Sequence, residues 1–329
     1  MPNVKISLRR VCKVFDPGQG AALDDVSLDI AEGAVCVLMG LSGSGKSTLL
    51  RTINGLTPPS SGQVLIDGVD LAALAPRRLQ GLRRDAMGMV FQSSALFAHR
   101  SVIDNAAFGL EIAGVTRAER HRRAGAVLEQ VGLAAHAKQY PHQLSGGMRQ
   151  RVGLARALAV DPSLLLMDEA FSALDPLKRR AMQELLLALQ RERRRTIVFV
   201  SHDIDEALRL GQQIAILHGG RLLQQGTPRQ LLASPADAHV RAFFDSADTS
   251  AHLQAADLID HEHAPGQGGV AAAGPAHASV AADTRLSELM PRLSAYRSPL
   301  TVRDATGAAL GWITAASALR IISRASARG

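Results

Sequence analysis

Residues 34–48 read AVCVLMG and then LSGSGKST, so a continuous apolar run leads into a glycine-rich turn. The turn fits G-x-x-x-x-G-K-[ST], with Gly40, Gly45, Lys46 and Ser47 in place. A chain with this feature must build a buried strand, a tight turn and then a helix, here TLLRTINGL from residue 48. The glycines let the backbone curl until successive N–H groups face one point. The helix adds the positive end of its dipole. Gly40, Leu41, Ser42, Gly43, Ser44, Gly45, Lys46, Ser47 and Thr48 are therefore the expected nucleotide-binding residues. Lys46 reaches the β- and γ-phosphates, and the Ser47 hydroxyl is a ligand for Mg²⁺. The expected ligands are ATP and Mg²⁺.

Other short apolar runs follow: GMVFQ (88–92), SLLLMDE (163–169), TIVFVSH (196–202) and QIAILH (213–218). Strands apolar on both sides suit a sheet covered on both faces, and strand–helix alternation predicts an α/β domain with a largely parallel sheet. Gly219-Gly220 reads as a hairpin turn. Residues of about 93–160 break the alternation and predict a mainly helical subdomain. With 47% hydrophobic residues the chain is no disordered tail. The net charge is +7, but the basic runs Arg117–Arg123 and Arg191–Arg195 fall in helix-like stretches and read as solvated faces, so nucleic acid is not an expected partner. Cys12 and Cys36 sit among apolar neighbours and read as buried thiols. The N-terminus lacks the apolar core of a signal peptide, and the best apolar stretch, 305–319, is too short to span a membrane. Work at a membrane would require docking onto a partner.

LLLMDE (164–169) is an apolar strand that ends in two acids. Beside a phosphate loop, Asp168 is the expected Mg²⁺ carboxylate, and Glu169 is the expected base that orients or deprotonates the attacking water. LSGGMRQR places Leu144, Ser145, Gly146, Gly147 and Met148 at the start of a second helix, where bare amides and a hydroxyl make another phosphate-binding surface. One ATP has no use for two such surfaces from one subunit. Two copies packed head to tail solve this, with the phosphate loop of one facing LSGG of the other.

At this point the sequence resembles the ATPases of ABC transporters over residues 4 to about 245, a P-loop NTPase fold. The resemblance implies roles for further residues. Gln92 matches the Q-loop glutamine, which touches Mg²⁺ and the permease-facing groove. Ser172-Ala173-Leu174-Asp175 matches the D-loop, in which Asp175 communicates across the dimer. His202 matches the switch histidine, which contacts the γ-phosphate, and Phe15 stands where the family places an adenine-stacking aromatic. The implied catalytic set is Lys46, Glu169 and His202. The implied partners are a second copy, a transmembrane permease and, through it, an external or periplasmic solute-binding protein, which puts the chain on the cytoplasmic face of the membrane. Soluble relatives carry two cassettes or long coiled coils, and exporters often carry their own permease. Neither pattern is present here.

GLSGSGKSTLLRTINGL, MGMVFQSSALF, LSGGMRQRVGLARALA and LLMDEAFSALDPL are similar to the ATPases of glycine betaine/proline importers, with choline and other quaternary-amine systems as near relatives. Ala170 follows the catalytic glutamate, as it often does in that group. The resemblance implies import of glycine betaine, proline or choline, or alternatively of another small amine or amino acid. Three regions are expected: the ATPase domain at 1–245, a flexible linker at 246–281 rich in Ala, Gly and His, and a tail at 282–329. The tail resembles the later half of one CBS repeat: a short helix, the strand PLTVRD, a turn, the strand ALGWI and a last helix.

Overall fold

The computed structural model describes residues 3–16, 18, 20–244, 253–259, 278–295 and 299–326. Internal contacts divide the chain into two units, Met1–Thr227 and Pro228–Gly329.

The first unit opens with β1 (Val4–Lys13), β2 (Leu23–Ala31) and β3 (Val35–Met39), and the phosphate loop then leads into α1 (Lys46–Ile53). The hairpin β4 (Ser61–Ile66) and β5 (Val69–Asp70) is followed by α2 (Pro76–Ala86) and β6 (Met87–Val90). The region expected to be helical holds α3 (Val102–Ala106), α4 (Phe108–Ile112), α5 (Arg117–Gln130) and α6 (Gly146–Leu158). Alternation then resumes with β7 (Leu164–Asp168), α7 (Pro176–Glu192), β8 (Thr196–Val200) and α8 (Ile204–Leu210), and the unit closes on β9 (Gln213–His218) and β10 (Arg221–Gly226).

Two sheets result. The smaller is antiparallel, in the order β2-β1-β4-β5; the larger runs β10-β9-β3-β8-β7-β6. Every pairing in the larger sheet is parallel except the β9–β10 hairpin. Gly219 (φ 53°) and Gly220 (φ 80°) supply the two left-handed positions that its tight turn needs. The side chains of β3 and β8 are buried throughout, as their unbroken apolar sequences require. In β2 only alternate residues are buried, because one face of the smaller sheet meets solvent. The parallel register is what builds the site. Leu38 pairs with Val200, and Val200 with Asp168, so the chain segments after β3, β7 and β8 emerge at one edge of the sheet.

Behind that edge, Phe171 and Phe199 are fully buried with ring centroids 5.4 Å apart. Phe199→Ala is expected to cost about 3–5 kcal/mol by emptying this space. Denaturant unfolding of the intact chain measures it, and a loss below about 1 kcal/mol would mean that the two rings do not anchor the sheet.

The second unit contains α9 (Pro228–Ala233), α10 (Ala238–Phe244), a 3-10 turn at Ala255–Leu258, β11 (Ser279–Ala281), α11 (Leu286–Ala295), β12 (Leu300–Arg303), β13 (Ala309–Ile313) and α12 (Ala315–Ser326). Its sheet runs β11-β12-β13, parallel and then antiparallel. Two expectations change here. The division falls at Thr227/Pro228 rather than at 245, with α9 and α10 in the second unit. The stretch 246–281 is not linker throughout. Ala255, Leu258 and Ile259 are buried in the core of this unit with Leu289, Val302 and Ile313, and Ser279–Ala281 is a strand. Ile259 packs so closely on Gly311 that a Cβ there would stand 2.4 Å from it. The remaining linker positions, 246–252 and 260–277, lie outside the described residues. The tail has the expected helix, two strands and last helix, with one further strand, β11, ahead of them, so its described order is β-α-β-β-α. None of the described helices is long and apolar enough to cross a membrane.

Candidate functional site

The loop between β3 and α1 is shaped by three glycines at positive φ: Gly40 (153°), Gly43 (79°) and Gly45 (99°). Gly45 caps α1 without a side-chain bond, so the first amides of that helix face the loop without an internal partner. Lys46 is buried, and its ammonium donates to the carbonyls of Gly40 at 2.8 Å and Leu41 at 2.9 Å. Burial pulls the Lys46 pKa below its ordinary range, while the carboxylates of Glu169 and Asp168 push the other way. The Ser44 hydroxyl is buried without a hydrogen-bond partner. A buried donor with nothing to bond to costs free energy, and a phosphate oxygen in the loop would relieve it. Leu41, Ser42 and Gly43 are exposed at the rim.

Ser47 Oγ donates to Asp168 Oδ1 at 2.9 Å, which joins the phosphate loop to the end of β7. A hydroxyl and a carboxylate this close are hard oxygen donors of the kind that suit Mg²⁺, an ion that usually takes its remaining ligands from phosphate oxygens and water. Among the described residues no cluster of three His, Cys, Asp or Glu offers a closed protein cage. The donor set therefore fits an ion shared with a nucleotide.

Glu169 follows directly and turns away from Asp168 through a left-handed backbone (φ 43°), with its amide bonded to the Val200 carbonyl at 3.2 Å. Its carboxylate lies 3.4 Å from Gln92 Nε2 and 3.6 Å from His202 Nδ1. Gln92, two residues past β6, also donates to Ser172 Oγ at 3.2 Å. Lys46, Ser47, Asp168, Glu169, Gln92 and His202 thus form one connected group, drawn from four chain segments at one sheet edge.

Other expected residues stand elsewhere. Phe15 is exposed beyond β1, with the Lys13 ammonium 5.2 Å from its ring centroid. Ser145 caps α6, its hydroxyl accepting from the Met148 amide at 3.4 Å, and Gly146 and Gly147 form the first turn after Leu144. Among the described residues no hydrogen bond joins Phe15 or Leu144–Met148 to the phosphate loop. Asp175 caps α7 by accepting from the Lys178 amide at 3.0 Å, and its bonds to Lys178 hold its carboxyl below the usual range.

Sequence reading missed the residues that brace this group. Gln150 Nε2 donates to the Phe91 carbonyl at 3.0 Å, and Arg156 donates to the carbonyls of Ala95 at 2.7 Å and Ser94 at 3.0 Å. Helix α6 is thereby tied to the loop after Gln92. Gln150, Gly153 and Arg156 recur every third residue, and that polar-and-small stripe was the available signal.

The family profile described as "ABC transporter" matches residues 23–172. The chain is 54% identical over 241 residues to the glycine betaine/proline betaine transport system ATP-binding protein ProV of Escherichia coli, covering 73% of this chain and 60% of that one. It is 44% identical to the trimethylamine N-oxide transport system ATP-binding protein TmoW of Ruegeria pomeroyi, covering 78% of this chain and 82% of that one. The fold matches the dimeric post-hydrolysis structure of the ATP-binding cassette MJ0796 bound to ADP and Pi with a TM-score of 0.62 and 36% identity, over 68% of this chain and 98% of that one. The chain spans only 58–62% of the length of the betaine-transport relatives it matches. A phosphate loop, paired strand-end acids and an LSGG helix on this sheet, together with relatives matched over most of their length, place the chain in the ABC transporter family, among its ATP-binding proteins.

Proposed function

We propose that this chain hydrolyses ATP to power import of a methylated amine or related compatible solute, namely glycine betaine, proline or choline, as a peripheral subunit on the cytoplasmic face of a membrane transporter. The observation that carries the hydrolytic reading is the group at the sheet edge, in which Ser47 and Asp168 are bonded and Glu169 lies beside Gln92 and His202. The solute reading rests on two relatives whose named cargoes, betaine and trimethylamine N-oxide, share a fully methylated nitrogen. A less specific reading, import of another small amine or amino acid, keeps the same chemistry.

In this mechanism the phosphate loop binds the triphosphate through its amides, Lys46 and Ser44. Mg²⁺, held by Ser47 and Asp168 with Gln92 nearby, would neutralise phosphate charge in the transition state. Glu169 accepts a proton from the attacking water, or orients it, and His202 steadies the γ-phosphate. Phe15 stacks on the base. The Leu144–Met148 surface of a second copy closes over the nucleotide, which satisfies the helix-end amides that one chain alone leaves open. ATP favours the closed dimer because it binds that state better than the open one. The loop after Gln92, braced by Gln150 and Arg156, passes this closure to a permease helix. An external solute-binding protein would select the cargo. The tail at 282–329 is a partial CBS-like element.

Uptake of labelled glycine betaine, proline and choline by cells carrying the whole transporter tests the reading. Uptake of at least one, blocked when Lys46 of this subunit is changed to Ala, is the expected outcome. Uptake of all three that ignores the substitution would refute the solute assignment and leave the hydrolytic one to be judged on the purified chain.

A further inference from the structure

The segment 201–206 contains a buried carboxyl that the mechanism above does not use. His202 itself is exposed, in the turn between β8 and α8, yet both its neighbours are held firmly. Ser201 is buried; its amide donates to the Leu38 carbonyl of β3 at 3.1 Å, and its hydroxyl donates to Glu206 Oε2 at 2.6 Å. On the other side of the histidine, the Asp203 amide donates to Ser201 Oγ at 3.0 Å, and the Asp203 carboxylate accepts from Arg179 of α7 at 2.7 Å. Glu206 is 5% exposed and takes a second bond from Gln183 of α7 at 3.2 Å. Arg179 also donates to the carbonyl of Leu174, in the segment Ser172–Asp175, at 3.3 Å.

Burying a carboxyl is expensive, and an apolar side chain would fill the same space at less cost. Burial, helped by the charge of Asp203, drives the Glu206 pKa up, against the opposing pull of Ser201, Gln183 and Arg179. Capping does not explain the residue, since Asp203 already caps α8 by accepting from the Glu206 amide at 3.0 Å. What remains is the geometry. Glu206 and Arg179 grip the two residues that flank His202, and Arg179 grips the D-loop at the same time.

We propose that Glu206 and Arg179 are positioning residues for hydrolysis, locking the backbone on both sides of His202 and joining that turn to the D-loop so that the two move as one. The inference rests on the hydrolytic reading of the site. It adds a route by which a second copy touching Ser172–Asp175 would set the histidine.

The test is steady-state ATP hydrolysis and separate nucleotide binding by the full chain, wild type against Glu206→Leu, Ser201→Ala, Glu206→Gln, His202→Ala and the double variants with His202→Ala. Loss of placement by about an ångström is expected to cost kcat about 10- to 100-fold in Glu206→Leu. Nucleotide affinity and KM should hold, because residues 40–48 are not touched. Ser201→Ala deletes the bond to Glu206 together with the bond that the Asp203 amide makes to Ser201 Oγ, both of them braces of the His202 turn, and should follow the same pattern if Glu206→Leu folds poorly. Glu206→Gln, which can keep both hydrogen bonds once the Gln183 amide flips, should restore most of kcat. In the His202→Ala background Glu206→Leu and Ser201→Ala should cost nothing further, since their effects pass through the missing histidine. Multiplying effects in the double variants, or a KM that rises with the fall in kcat, would overturn the proposal. Wild-type chain that binds ATP but never hydrolyses it would instead defeat the hydrolytic reading, and this inference with it.

Discussion

Glu169→Gln is expected to slow ATP hydrolysis by about 10²–10⁴-fold, the usual worth of a positioned base, while nucleotide binding stays intact. The two halves of this expectation come from different atoms. In the proposed mechanism binding depends on the loop amides, on Lys46 and on the Ser47–Asp168 pair bonded at 2.9 Å, and the substitution leaves all of them in place. Turnover, in the same mechanism, depends on a carboxylate that follows Asp168 through a left-handed backbone step and stands within 3.6 Å of His202 and 3.4 Å of Gln92. The amide of glutamine fills the same space and can still meet Gln92, but it takes no proton from water. ATP should therefore accumulate between two copies that close and do not reopen. Phosphate release measures the first half; nucleotide titration and the mass of the ATP-bound species measure the second. Ordinary turnover in this variant would remove Glu169 from its assigned role, and weak binding would mean that the carboxylate organises the phosphate loop instead.

How far the site was legible follows from how local each signal is. GLSGSGKS carries its chemistry within eight neighbouring positions, because glycine, lysine and hydroxyl must be close in sequence to cradle one phosphate chain. MDE and SHD were readable as strand ends, since an apolar run that stops on an acid or a histidine marks the edge of a parallel sheet. Their convergence needed only the parallel order that alternation with helices implies. The stripe of Gln150, Gly153 and Arg156 marks a helix face, but what the braces bond to was not legible, because their partners are distant in the chain. Arg156 reaches back to Ser94 and Ala95, and Gln183 and Arg179 meet Glu206 and Asp203 across two helices. A lone arginine in a helix carries no mark of the carbonyl it will find. The same limit explains the tail. The composition of 246–281 reads as linker, yet Ala255 and Leu258 are buried, because burial is decided by the Val302 and Ile313 strands that follow much later. Strand ends were also overextended: GMVFQ stops being strand at Val90, since the Phe91 carbonyl accepts from Gln150 and Gln92 reaches Glu169.

Gly40→Ala is expected to abolish measurable ATP binding and to destabilise the chain by several kcal/mol, far more than Gly43→Ala. Both residues lie at positive φ, 153° and 79°, so conformation alone penalises both, by about 1–3 kcal/mol each. They differ in what a methyl would meet. At Gly43 nothing lies within 4 Å, and the backbone penalty stands alone. At Gly40 the new carbon would stand 2.3 Å from the Leu217 carbonyl and 2.4 Å from Ser44 Oγ. The carbonyl cannot retreat easily, because β9 is held between β3 and β10 on either side. Overpacking of this kind adds about 1–3 kcal/mol. The Ser44 hydroxyl would have to leave the position where it waits buried and unbonded, and the Gly40 carbonyl that receives the Lys46 ammonium at 2.8 Å would shift with it. Both changes strike groups that face the phosphates, so binding and stability should fall together at Gly40. Denaturant unfolding of the nucleotide-free chain and titration with a fluorescent ATP analogue separate the two quantities. Equal stability losses in the two variants would show that β9 yields to the methyl, and that backbone conformation, not the close approach of Leu217, is the reason for glycine at residue 40.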